Sequence, residues 1–166
     1  MYSSNEHFVR EANEVSFKSD TILDTHFTDI ISEYSNLEKL TFDTCTFPGE
    51  TAFEDAPVAE NAVTLTDIVI KSSVTLDPGA TSDGVPVAWA TAVEIALIDV
   101  SGNSWTVAQV DAFINALDTA VIAGLGGSAA ACVLTITGNS IPTAASATAV
   151  SNLEGYSPAW TVTVDA

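Results

Sequence analysis

Few residues in this chain could carry chemistry. Its two histidines, His7 and His26, fall in a polar amino terminus and an early connecting stretch, and neither accompanies a serine or cysteine in a nucleophile motif. The two cysteines, Cys45 and Cys132, lie far apart and form no CxxC and no Cys/His metal spacing, so neither a zinc site nor a disulfide framework follows from them. Gly124-Leu-Gly-Gly127 lacks the lysine of a phosphate loop and the spacing of a dinucleotide fingerprint. Glu50, Glu54, Asp55 and Glu60 crowd one stretch with Pro48, Gly49 and Pro57, yet no D-x-D-x-D-G loop exists for calcium, and the stretch reads as a solvated edge. The expectation is a non-enzyme with no cofactor and no metal.

What stands out instead is hydrogen-bonding capacity at fixed spacing. Ile95-Ala-Leu-Ile-Asp-Val-Ser-Gly-Asn103 and Ala131-Cys-Val-Leu-Thr-Ile-Thr-Gly-Asn139 share the nine-position frame apolar-x-x-apolar-x-apolar-x-x-Asn. Leu37-x-x-Leu40-x-Phe42-x-x-Cys45 repeats it with Cys at the corner, and Leu65-x-x-Ile68-x-Ile70-x-x-Ser73 with Ser. Ala12-x-x-Val15-x-Phe17-x-x-Asp20 is a weaker first copy, and Ala159-x-x-Val162-x-Val164 closes the chain. The intervals are 25, 28, 30, 36 and 28 residues, so the connections vary while the strands keep their pattern. Side chains of a strand alternate, which turns positions 4 and 6 inward and positions 3, 5 and 7 outward. The corner amide or thiol would then satisfy backbone groups left open as the chain turns away. Gly102 and Gly138, just before the corner, tolerate unusual backbone angles.

The connections are of two kinds. Thr106-Val-Ala-Gln109 opens a helix as a capping box, with Val107, Val110, Phe113, Ile114 and Leu117 on one face. Its counterpart is expected to start near Pro142-Thr143, to carry Val150 and Leu153, and to end at Gly155. Residues 21–36 carry an irregular apolar stripe (Ile22, Leu23, Phe27, Ile30, Ile31, Tyr34), and Asp77-Pro-Gly-Ala80 reads as a turn followed by loop. Ala120 to Leu134 is mostly apolar, but the glycines at 124, 126 and 127 leave it short of a membrane span, and a helix end, a Gly-rich loop and a buried strand are expected there.

Composition narrows the partners. With 22 acidic and 4 basic residues and a net charge of −18, almost nothing is present to neutralise phosphates, which argues against nucleic acid and against anionic membranes. The 47% hydrophobic content excludes general disorder. No signal-peptide layout and no Asn-x-Ser/Thr acceptor occurs, so synthesis and folding in a cytoplasm are the default.

The nine-position frame resembles the strand-and-corner signature of leucine-rich repeats. That resemblance implies an α/β, leucine-rich-repeat-like solenoid with about six short parallel strands and helical or irregular returns. Residues 1–11 would form an N-terminal arm and 12–166 a single domain. More narrowly, Val-Ser-Gly-Asn-Ser-x-Thr with the following helix (100–117), Leu-Thr-Ile-Thr-Gly-Asn-Ser-Ile-Pro-Thr (134–143) and Ala-Trp-Thr-Val-Thr-Val (159–164) resemble repeat modules of tailed-phage virion proteins. The earlier copies look like the irregular repeats of bacterial surface proteins.

The phage-type resemblance implies a non-enzymatic virion component of a tail, fibre, neck or capsid surface, acting in interaction or host attachment. Its partners would be other virion proteins or a host surface receptor, with self-association left open and no membrane insertion. It would be assembled in a host cytoplasm. A bacterial adhesion protein and an acidic inhibitor or DNA mimic are the alternatives. The candidate interaction face is the outward strand surface: Lys39, Thr41, Asp43, Asp67, Val69, Lys71, Leu97, Asp99, Val133, Thr135, Thr161 and Thr163.

Overall fold

The computed structural model describes residues 13–22, 36–47, 65–72, 95–125 and 131–165. In chain order these form β1 (Glu14–Lys18), β2 (Lys39–Asp43), β3 (Asp67–Lys71), β4 (Leu97–Asp99), α1 (Val107–Leu125), β5 (Val133–Thr135), α2 (Ala147–Gly155) and β6 (Thr161–Thr163). The six strands make one parallel, open sheet in the order β1-β2-β3-β4-β5-β6, each pairing with the next strand in sequence.

Register follows the nine-position frame without a slip. Val15, Leu40, Ile68, Ile98, Leu134 and Val162 are successive partners across the sheet. A one-residue shift in any strand would turn its apolar residues out and its polar ones in. Position 6 forms the second inward row, in which Phe17, Phe42, Ile70, Val100 and Ile136 are buried. The Phe17 and Phe42 rings stack at 5.3 Å between centroids, and Phe47 meets Phe42 edge-on at 5.7 Å.

The helices close the same core from the connection side. Thr106 and Gln109 form the expected reciprocal cap, with Thr106 N–H donating to Gln109 Oε1 at 3.0 Å and Gln109 N–H to Thr106 Oγ1 at 3.4 Å. Val110, Phe113, Ile114 and Leu117 are buried, and Phe113 packs on Trp105 with ring centroids 5.2 Å apart. Val107 does not join them. It is the first helical residue, lies beside the cap rather than over the core, and is 42% exposed.

The second helix also begins later than its sequence suggests, at Ala147 instead of near Pro142-Thr143. Asp111 of α1 explains the delay. Its carboxylate accepts from Thr143 N–H at 2.9 Å and from the hydroxyls of Thr143 and Ser146, which holds residues 143–146 in turns before the helix starts. Leu153 and Ala149 are buried and Val150 half-buried, as the periodicity requires. The expected features at 1–11, 23–35, 48–61 and 77–86, including both histidines and the acidic stretch, lie outside the described residues.

Candidate functional site

Two sets of polar groups need separate accounts, one inside the fold and one on its surface. The inner set is the corner. Asn103 Nδ2–H donates to Val100 O of its own copy and to Ile70 O of the preceding one, both at 2.8 Å. Asn139 Nδ2–H does the same with Ile136 O and Val100 O at 2.9 Å, while its Oδ1 accepts Trp105 N–H at 3.0 Å. Cys45 takes the equivalent place: its Sγ reaches Phe17 O of the preceding copy at 3.6 Å and Asp43 O at 3.7 Å. Asn103 and Asn139 thus supply donors to position-6 carbonyls of their own and the preceding copy, and Cys45 does so for Phe17 O of the preceding copy. These are structural bonds. Burial pushes the Cys45 thiol up and the Cys132 thiol to about 12, so both sulfurs are inert protonated groups inside the core.

The α1–α2 seam is polar but likewise spoken for. Asp111 and Asp118 are both buried. Burial pushes the Asp111 carboxyl up, but the Ser146 and Thr143 hydrogen bonds outweigh it and leave the group below its ordinary value. Asp118 accepts from Asn152 Nδ2–H and Tyr156 O–H, each at 2.9 Å. Burial first, then the Asp118 carboxylate, push the Tyr156 phenol up to about 12. With Asn115 donating to Ala145 O at 3.3 Å, residues 111, 115 and 118 form one stripe of α1 that ties the two connections together.

The outer set is the sheet face opposite the core. Position 3 aligns Glu14, Lys39, Asp67, Leu97, Val133 and Thr161, and position 5 aligns Ser16, Thr41, Val69, Asp99, Thr135 and Thr163. Position 7 aligns Lys18, Asp43 and Lys71. All twelve residues expected on this face therefore share it. Glu14, Ser16 and Lys18 of the first strand belong with them; the same frame applied to the weak first copy finds all three.

Val69 and Asp99 depart from a simple solvated face, since each is only 8% exposed. Val69 nonetheless stands apart from the core cluster and lies beside Asp99 in register on the outer side of the sheet. Asp99 is charged and buried, and it is compensated: Lys71 Nζ lies 2.6 Å from Oδ2 and Ser101 N–H donates to Oδ1 at 3.1 Å. Lys18 pairs with Asp43 at 3.4 Å. The Thr44 hydroxyl first, then Lys18, hold the Asp43 carboxyl below its usual range.

The chain has three lysines and one arginine, and all three lysines (Lys18, Lys39 and Lys71) occupy this face. Among the described residues no group of three His, Cys, Asp or Glu is arranged to hold a metal ion. No helix among them is long and apolar enough to cross a membrane. No family model matches the chain, and neither a curated protein nor a solved structure matches it.

Proposed function

We propose that the chain is a leucine-rich-repeat-like solenoid that serves as a non-enzymatic protein-interaction module, with the outer sheet face as its working surface. The observation that carries this reading is the placement of charge. A molecule of net charge −18 sets all three of its lysines on one face, where they nearly balance Glu14, Asp43, Asp67 and Asp99, while its buried polar groups at the corners and the helix seam are consumed by structural hydrogen bonds. Electrostatics makes this a face that another acidic or neutral protein can approach with less repulsion than the net charge would impose.

The setting we propose is a virion accessory component, assembled in a host cytoplasm and exposed on the particle. Its support is the resemblance of residues 100–117, 134–143 and 159–164 to phage repeat modules. The test is co-sedimentation of the protein with particles purified from producing cells, with Thr41→Arg and Thr135→Arg variants alongside. Retention of the wild-type chain and release of both folded variants is the expected result. A chain absent from particles overturns the virion setting, and variants retained as well as wild type overturn the face.

A further inference from the structure

We infer that the outer face of β1–β3 is self-complementary and pairs, face to face, with a second copy of this chain; the inference rests on the interaction-face reading and names its partner. Each of these three strands carries opposite charges at its two outer ends: Glu14 and Lys18, Lys39 and Asp43, Asp67 and Lys71. Signs also alternate along both registered rows, Glu14–Lys39–Asp67 and Lys18–Asp43–Lys71.

Alternation within a row is what cross-strand pairing inside one molecule favours. That requirement acts on each row alone and is met equally whether the two rows are in phase or out of phase. They are out of phase, and this is the property a second copy can read. A two-fold axis lying in the contact plane, running across the strands above Ser16, Thr41 and Val69, lays each row over the other row of the second copy. Glu14 then faces Lys18, Lys39 faces Asp43 and Asp67 faces Lys71, each twice by symmetry, with no like pair among these six residues. An axis along β2 instead puts Glu14 over Asp67 and Lys18 over Lys71, so the pattern selects one arrangement.

Charge balance points the same way. The six residues sum to zero (three lysines, three carboxylates), which leaves the whole −18 on the rest of the chain. Two copies meet less repulsion here than the net charge of the chain would impose. Val69 lies under the axis but, at 8% exposed, adds little to the contact. Asp99, farther along the axis, is already held by Lys71 and the Ser101 N–H. Three strands at about 4.8 Å spacing and roughly 16 Å length cover about 230 Å², well below the roughly 800 Å² per partner of a stable complex. The dimer is therefore a weak one.

Zero-length carbodiimide cross-linking of the full chain, read by peptide mapping beside a sedimentation-velocity concentration series, tests this. Lys39 and Asp43 are four residues apart on one extended strand, about 13 Å, too far for an isopeptide bond within one molecule. The same holds for Glu14–Lys18 and Asp67–Lys71. The expected result is these same-strand links in a concentration-dependent dimer.

The triple variant E14K/K39E/D67K preserves alternation within its row but sets like charges opposite one another in the dimer. It should keep the wild-type circular dichroism and thermal midpoint while dimerising at least ten-fold more weakly. A chain monomeric at every concentration, a dimer linked only through other residues, or a folded triple variant that dimerises as well as wild type would each overturn the proposal. Monomeric protein that still loses particle binding on Thr41→Arg leaves the interaction face standing with a different partner, so the two failures are distinguishable.

Discussion

At the residue scale, the buried polar groups of the corners and of the α1–α2 seam each answer a geometric need, and removing one exposes that need. Asn139→Ala leaves Ile136 O without its side-chain donor and Trp105 N–H without its acceptor, while Val100 O keeps the Asn103 Nδ2–H. Unpaired buried backbone groups cost about 1–3 kcal/mol apiece. With partial relaxation, chemical denaturation should register a loss of roughly 3 kcal/mol. Asp111 is a case with a pH signature. Its folded pKa lies below the unfolded value, so its contribution is fully present above about pH 4 and is lost as pH falls through the folded pKa. Asp111→Ala should therefore be less stable than wild type by about 2–4 kcal/mol at neutral pH, and the gap should narrow at pH 3. A gap unchanged between pH 7 and pH 3 would exclude this role. The thiols make a third case: Cys45 and Cys132 are buried with raised pKa values, so a thiol-specific reagent should label neither until the chain is denatured.

At the element scale, position 8 of the frame shows how the strand exit is built. Ser19, Thr44, Ser72, Gly102 and Gly138 all have φ between 51° and 72°. This left-handed bend lets the backbone N–H of Ser19, Thr44, Ser72 and Gly102 donate to the position-7 carbonyl of the next copy, at 2.8–3.2 Å. In the last interval the Asp165 carboxylate accepts the Gly138 N–H instead. The Gly138 bend also runs hard against its neighbour: a Cβ there would stand 3.1 Å from both Gly102 Cα and Gly102 N.

Gly138→Ala should thus combine left-handed strain of about 1–2 kcal/mol with a backbone clash, and lower the thermal midpoint. Ser19→Gly removes strain at an exposed site and should be neutral to stabilising by up to about 1 kcal/mol. If the alanine were tolerated and the glycine harmful, the bend would not govern the exit. The sequence made the strands and their register readable because one inward pair per copy repeats, from Val15 and Phe17 to Val162 and Val164. It made the capping box readable because Thr106 and Gln109 are local. The late start of α2 was not readable, since it depends on Asp111, thirty-two residues earlier in the chain than the Thr143 it binds. Nor was the burial of Val69 and Asp99, because a strand pattern assigns a face and cannot say how crowded that face is.

At the scale of the whole molecule, charge and burial oppose one another. The core is continuous from Phe17 to Trp160 and binds the strands into one unit, while the net charge of −18 pushes the surface apart. In 0.1 M salt the Debye length is about 10 Å, against about 30 Å at 0.01 M, so repulsion between distant carboxylates is long-ranged only at low salt. The ion pairs Lys18–Asp43 and Lys71–Asp99 would weaken with screening, but they are few beside the unbalanced acids, and Lys71–Asp99 is partly sheltered. Repulsion dominates the balance. Raising sodium chloride from 0.01 M to 0.5 M should therefore raise the thermal midpoint of the full chain. Sodium sulfate at matched ionic strength should raise it further by strengthening apolar burial. A midpoint that falls with sodium chloride would mean that attractive pairs outweigh the excess acid. Charge would then hold this fold together, and the near-neutral lysine face could no longer be read as a place where the molecule meets less of its own repulsion.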